Sequence, residues 1–232
     1  MQKICYSLCM EKTKKTSAKA SKSSREAIKE SFREFLLTEG KLPASVFAFC
    51  KKLGVKETEF YKHFASFESI EKAIWTDHFD TVKGRLSADK EYASFGSREK
   101  ILTFYFSLAE LLKTDRSFLT HQLSSWKNPA ILPVFLKGFQ HAFTEWARPL
   151  IEEGIQAGDI AKRPYFDQQY HHLLWMHFLF ILQFWAHDES PDFEKTDAAI
   201  EKSVNLAFDL IGKGILDNAL DFGKFLYQTS RS

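Results

Sequence analysis

The sequence predicts an all-α protein, with an N-terminal three-helix head followed by a larger helical body. Three observations predict it. Apolar side chains recur every three or four residues over most of the 232-residue chain, which is the period of an amphipathic helix. No stretch alternates apolar and polar residues as a half-buried strand would. Gly and Pro number only 10 and 6, and several of them stand where a helical run stops. With 44% hydrophobic residues the chain can bury a core of ordinary size, and its length suits one large domain or two small ones.

The elements follow in order. Residues 1–22 carry Lys, Ser and Thr without apolar periodicity and read as a basic, disordered tail. Ser23 followed by Glu26 is a capping-box pattern, and Ile28, Phe32, Phe35 and Leu36 then recur at helical spacing until Gly40. Ser45 caps a second, very short helix whose face is Val46, Phe49, Cys50 and Leu53, ended by Gly54. KETEFYKHF, residues 56–64, is a third short helix with Phe60 and Phe64 on one side. Ser66 caps a fourth, along which Ile70, Ile74, Phe79 and Val82 line up.

In the body, residues 97–113 are apolar nearly all round and predict a central helix. Residues 115–127, with His121 and Trp126, form a shorter one. Residues 131–159 carry Phe135, Phe139, Phe143 and Trp146 as a stripe, with Pro149 placed to kink it. Residues 165–187 form another very apolar helix. Residues 193–212 follow, with Ala199, Val204, Leu206, Ala207, Leu210 and Ile211 apolar, and 214–228 close the chain as a last helix. The organisation is therefore a tail over 1–22, a head over 23–67 and a body over 68–228.

Charge divides along the same line. Residues 1–64 hold 14 Lys plus Arg against 7 Asp plus Glu, a net +7, whereas residues 65–232 hold 18 against 23, a net −5. A basic head on a mildly acidic body suits phosphate backbones or anionic membrane surfaces. The longest apolar stretch, HLLWMHFLFILQFWA over 172–186, is interrupted by His177 and Gln183 and is short for a membrane span. KICYSLCM is too short and polar for a signal-peptide core. The expectation is a soluble, cytoplasmic protein without a membrane partner. Three cysteines, Cys5, Cys9 and Cys50, make no disulfide framework and fit a reducing compartment. His171, His172 and His177 lack the spacing of a metal pair. No phosphate loop, nucleophile elbow or paired carboxylates appear, so neither an enzyme nor a cofactor is expected.

Three short helices with a glycine between the second and third have helix-turn-helix geometry. The stretch from Ile28 to Ile70 resembles the DNA-binding domain of the TetR family of transcription regulators. The resemblance lies in the run ending at Gly40, Ser45 at the second helix cap, CKKLGV at the turn, FYKHF at the end of the third helix and SFESI after it. EEGIQAGDI extends it weakly into the body. It implies double-stranded DNA as partner, contacted by Ser45, Lys56, Thr58, Tyr61, Lys62 and His63, with Tyr61 reaching a phosphate and Phe64 plugging the small core. It also implies a homodimer through helices 165–187 and 193–212, set against a monomer that buries both. It further implies a pocket for a small hydrophobic or aromatic effector, whose binding tilts the fourth helix. Tyr105, Phe106, Trp126, Phe139, Phe143, Trp175 and Phe178 are candidate walls, with His121, His177 and Gln183 as polar contacts; aromatics at helical spacing otherwise simply fill a core.

The chain departs from the family pattern at Glu57 and Glu59, which put carboxylates on the reading helix, at Phe67, where a Lys is common, and at Phe47, where a polar residue is usual. Lys51, Lys52, Lys56 and Lys62 offset part of this. Two readings follow: a ligand-responsive transcription regulator, or a small-molecule or lipid-binding protein of the same fold with degenerate DNA recognition.

Overall fold

The computed structural model describes residues 24–128, 130–163 and 169–212, and single positions at 214, 222, 226, 228 and 229. The predicted tail, Ser23, most of the 214–228 helix, and Cys5 and Cys9 lie outside the described residues. Among the described residues there are helices and loops and no strand. Residues 24–39 form α1. The chain continues through α2 (Val46–Leu53), α3 (Glu57–Tyr61), α4 (Phe67–Ala88), α5 (Lys90–Ser94), α6 (Ser97–Leu112), α7 (Arg116–Ser124), α8 (Lys137–Ala157), α9 (Tyr170–His187) and α10 (Glu194–Ile211). Two compact units divide at Ile74 and Trp75, inside α4.

The first unit is built on phenylalanine. Phe32, Phe49, Phe60, Phe64 and Ile70 are all buried. Phe67 stacks on Phe32 with ring centroids 5.6 Å apart and meets Phe49 and Phe60 edge-on at 5.6 and 5.9 Å. The residue that departs from the family pattern at the start of α4 is thus part of this head's core, and its ring does packing that a Lys could not. Ser45 caps α2, its Oγ accepting from the backbone N–H of Ala48 at 3.1 Å. Gly54 ends α2 with φ of 74°, a left-handed conformation that favours glycine.

In the second unit α6 packs on α8 and α10, while α9 packs on α7, α8 and α10. Phe104, Tyr105, Leu108 and Leu112 of α6 are buried. Pro149 stands inside α8, which runs through it to Gly158 in the left-handed region at φ 87°. The turn joining α9 to α10 is fastened at Asp188. Its carboxylate accepts from the backbone N–H groups of Ser190 and Thr196 at 2.8 Å each and from their hydroxyls at 2.6 Å each. Burial works against that charge, yet these hydrogen bonds hold the carboxyl well below the usual range. Arg116 adds a second clamp, donating to the carbonyls of Trp185 and Asp188 at 2.9 Å each while lying 4.5 Å from the Phe193 ring centroid.

Candidate nucleic-acid interface and aromatic core

The short α3 and its flanking residues carry most of the side chains expected at DNA. Lys56, Thr58, Tyr61 and Lys62 are exposed, Tyr61 at 54%. Phe60 is buried between them and anchors the helix. Tyr61 meets the Phe60 ring edge-on at 5.4 Å, so its phenol is carried at the surface on a packed neighbour. Lys51 and Lys56 are exposed and carry no side-chain partner among the described residues. Lys52 bonds Glu39 at 2.9 Å and lies 4.6 Å from the Phe35 ring centroid, which commits it to α1.

The two acidic residues of α3 behave differently. Glu59 is saturated from within the head: Oε2 receives Lys62 Nζ at 2.7 Å, and Oε1 receives Ser24 Oγ at 3.2 Å and lies 3.3 Å from His63 Nε2. The Lys62 hydrogen bond is the main cause that lowers the Glu59 carboxyl, with further help from Ser24 and His63. Glu57 has no hydrogen bond or ion pair among the described residues.

Six residues were expected at DNA. Lys56, Thr58, Tyr61 and Lys62 share the exposed α3 segment, and Ser45 stands at the start of α2 as its cap. The Ser45 hydroxyl accepts a backbone N–H and keeps its own proton to donate. His63 differs: its side chain is 8% exposed and is turned onto Glu59, so it acts inside the head rather than at its surface.

In the second unit the predicted aromatic residues separate into two groups. Tyr105, Phe139, Phe143, Trp175 and His177 come together with Phe178. Phe178 stacks on Phe139 at 4.9 Å and on Phe143 at 5.2 Å, and Tyr105 stacks on His177 at 5.5 Å. Phe106 and His121 are exposed and stand outside this cluster because each falls on the outward side of its helix. Trp126 donates its indole N–H to the carbonyls of Asn128 and Ile131 and so braces its own loop. The cavity beside Tyr105, Phe178 and Trp185 holds about 10 Å³, room for roughly one water-sized sphere.

The polar groups in this core are specific. His177 stands between Tyr105 OH at 3.3 Å and Ser203 Oγ at 2.9 Å, and burial pushes its pKa down to about 4. Burial likewise pushes the Tyr105 phenol up. Trp75 donates to Gln122 Oε1 at 2.8 Å, a buried pair that periodicity registers only as two apolar-face positions. Among the described residues, Gln122 Nε2 and Trp185 Nε1 are buried donors without an acceptor.

An open groove of about 410 Å³, lined by Arg148, Ile151, Glu152, Ile155, Gln169, His171 and His172, lies between α8 and the start of α9. Among the described residues no group of three or more His, Cys, Asp or Glu could hold a metal ion. No helix among them is long and apolar enough to cross a membrane.

A family model described as the tetracyclin repressor-like C-terminal domain matches residues 100–226. The chain belongs to the TetR family. No curated protein matches it in sequence. Three solved structures share the fold of this TetR-family chain. A candidate TetR-family transcriptional regulator from Syntrophomonas wolfei is 19% identical with a TM-score of 0.62, over 84% of this chain and 98% of its own. A candidate tetR family transcription regulator from Shewanella sp. PV-4 is 13% identical with a TM-score of 0.56, over 81% and 97%. A TetR family transcription regulator from Marinobacter aquaeolei VT8 is 17% identical with a TM-score of 0.51, over 83% and 97%. The all-α TetR fold is therefore shared along nearly the whole length of each, head included.

Proposed function

We propose that this TetR-family chain is a ligand-responsive transcription regulator that binds operator DNA as a homodimer and is released or reset by a small hydrophobic effector. The observation that carries the proposal is the state of α3. One of its two acidic residues, Glu59, is neutralised by Lys62 and bonded to Ser24, while Lys56, Thr58 and Tyr61 stand exposed beside the unpartnered Lys51. A carboxylate aimed at phosphates would repel them; one whose oxygens already receive a Lys, a Ser and a His does so far less. Phe67, another departure, serves the head's core. Two of the departures from the family pattern, Glu59 and Phe67, thus have a structural role compatible with binding.

The dimer is supported by exposed apolar side chains on α9 and α10. Leu173, Met176 and Phe180 of α9 are 51%, 61% and 52% exposed, and Leu206 and Leu210 of α10 are 59% and 37% exposed. The His177–Ser203 hydrogen bond lies between the two stripes and makes them neighbours. A monomer would leave this face in water, whereas pairing α9 and α10 with their copies buries it as a four-helix bundle. Effector binding is supported by the aromatic cluster and by the orphaned donors of Gln122 and Trp185. An acceptor atom on an apolar ligand would relieve the cost of about 1–3 kcal/mol that each unmet donor carries. The cavity beside Tyr105, Phe178 and Trp185 is too small for such a ligand, which enters there by displacing aromatic side chains.

The test is a gel shift against DNA from upstream of the chain's own gene at two salt concentrations, with mass spectrometry of the purified protein beside it. A specific complex that weakens steeply with salt supports the proposal. No specific complex, together with a copurifying lipid, supports the binding-protein reading instead.

A further inference from the structure

The contrast between the two carboxylates of α3 carries one step further, and it rests on the DNA-binding reading above. We propose that Glu57 selects the base at one position of the operator half-site, its carboxylate accepting from the exocyclic amine of a cytosine in the major groove, while Glu59 positions the helix that presents it.

The two carboxylates differ in what they meet. Glu59 meets Ser24, Lys62 and His63 and has its oxygens occupied inside the head. Glu57 is the first helical residue of α3, is half-buried, and has no hydrogen bond or ion pair among the described residues. The first residues of a recognition helix are those that reach base edges. Thr58 beside it is exposed and small enough to let the helix approach.

Chemistry then limits what Glu57 can meet. An ionised carboxylate only accepts hydrogen bonds. Major-groove edges offer donors at cytosine N4 and adenine N6, and acceptors at guanine O6 and N7 and at thymine O4. Facing guanine or thymine, the carboxylate would set acceptor against acceptor with phosphates close by. Adenine sets the N7 acceptor beside its N6 donor, a pattern that fits an amide, which both donates and accepts, better than a carboxylate. Cytosine is the remaining partner. An unpartnered carboxylate thereby weakens binding to most sequences and is tolerated by one, which turns an apparent liability into discrimination.

The experiment is selection from a pool of randomised duplexes by the full chain, followed by sequencing, for wild type, Glu57→Gln, Glu57→Ala and Glu59→Gln. Wild type enriches a half-site with one fixed C·G pair, preferred roughly 5- to 150-fold over other pairs at that position. Glu57→Gln moves the preference there to A·T, and Glu57→Ala abolishes it while the rest of the motif stays. Glu59→Gln weakens binding to all sequences alike and leaves the motif unchanged. A wild-type motif that Glu57→Gln and Glu57→Ala leave intact at every position overturns the assignment while the DNA-binding reading stands. Failure of wild type to enrich any sequence overturns that reading and this inference with it.

Discussion

Glu59 and Lys62 form a 2.7 Å ion pair within α3, and the same carboxylate also receives Ser24 from α1. The pair neutralises this carboxylate within α3, and the Ser24 hydrogen bond ties it to α1. Its pH signature follows from the lowered Glu59 carboxyl, for which Lys62 is the main cause and Ser24 and His63 lesser ones. A carboxyl held below its ordinary value stabilises the fold above that value and loses the contribution as pH falls through the folded pKa. Wild type should therefore melt higher than Glu59→Gln at pH 7, and the gap should close in thermal scans taken near pH 3. A gap that stays constant with pH contradicts the assignment.

Ser45 offers a separable test of cap and contact. Ser45→Ala should destabilise α2 by about 0.5–2 kcal/mol in urea denaturation, because the Ala48 N–H loses its acceptor. Ser45→Asp restores the acceptor but cannot donate to a phosphate and adds a negative charge. It should keep stability near wild type while lowering DNA affinity. An Asp variant that binds as tightly as wild type removes Ser45 from the contact set.

His177 should make the body acid-sensitive. Its folded pKa is about 4, depressed by burial, against an ordinary value of 6.5. The unfolded chain then binds the extra proton between those values, so stability is full above about pH 6.5 and falls as pH drops towards 4. The loss is on the order of 2–3 kcal/mol, from 1.36 kcal/mol per unit, and partial exposure of the ring trims it. Urea denaturation at pH 7.5 and pH 4.5 should show it, and His177→Gln should flatten the difference. An unchanged pH dependence in the variant shows that other groups are responsible.

Much of this was legible in the sequence, and the misses have physical causes. Phe32, Phe49, Phe60 and Phe64 announced the head's core because each recurs on one helical face, and Ser45 and Gly54 bracketed α2 by capping chemistry alone. The bracket for α3 was too long: its helix ends at Tyr61, and His63 turns inward to Glu59. No periodicity reports which partner a side chain will choose, so the different fates of Glu57 and Glu59 were invisible. The same holds for Phe67, which reads as a misplaced aromatic until Phe32 is seen beneath it. The helix at Lys90–Ser94 was missed because it is five residues long and buries nothing. In the body, the stripe of Phe139 and Phe143 located the core, but the outward turn of Phe106 and His121 needed the packing of α6 and α7.

The aromatic cluster should be intolerant of truncation. Phe139 and Phe143 are fully buried. Phe139→Ala should cost about 3–5 kcal/mol in urea denaturation. If the variant stays folded, the void is apolar and should bind a small apolar probe such as benzene, seen as a rise in melting temperature that wild type lacks. Equal response in both proteins would mean that wild type already holds an open pocket.

Phe180→Glu and Leu206→Glu place charges on the exposed apolar face of α9 and α10. Sedimentation should show a dimer for wild type and monomer for the double variant, with helical content retained. A wild-type monomer, or a double variant that still pairs, rejects this face as the interface.

The most direct measurement is the dissociation constant of the full chain for its selected duplex across a salt series, read by fluorescence anisotropy. Two heads, each placing Lys51, Lys56 and Tyr61 at the backbone, predict a log–log slope of several units, roughly −0.9 for every phosphate neutralised by a free cation, and a complex of two chains per duplex. A flat salt response, or a single chain bound without preference for sequence, would contradict the claim that α3 is a groove-docking helix.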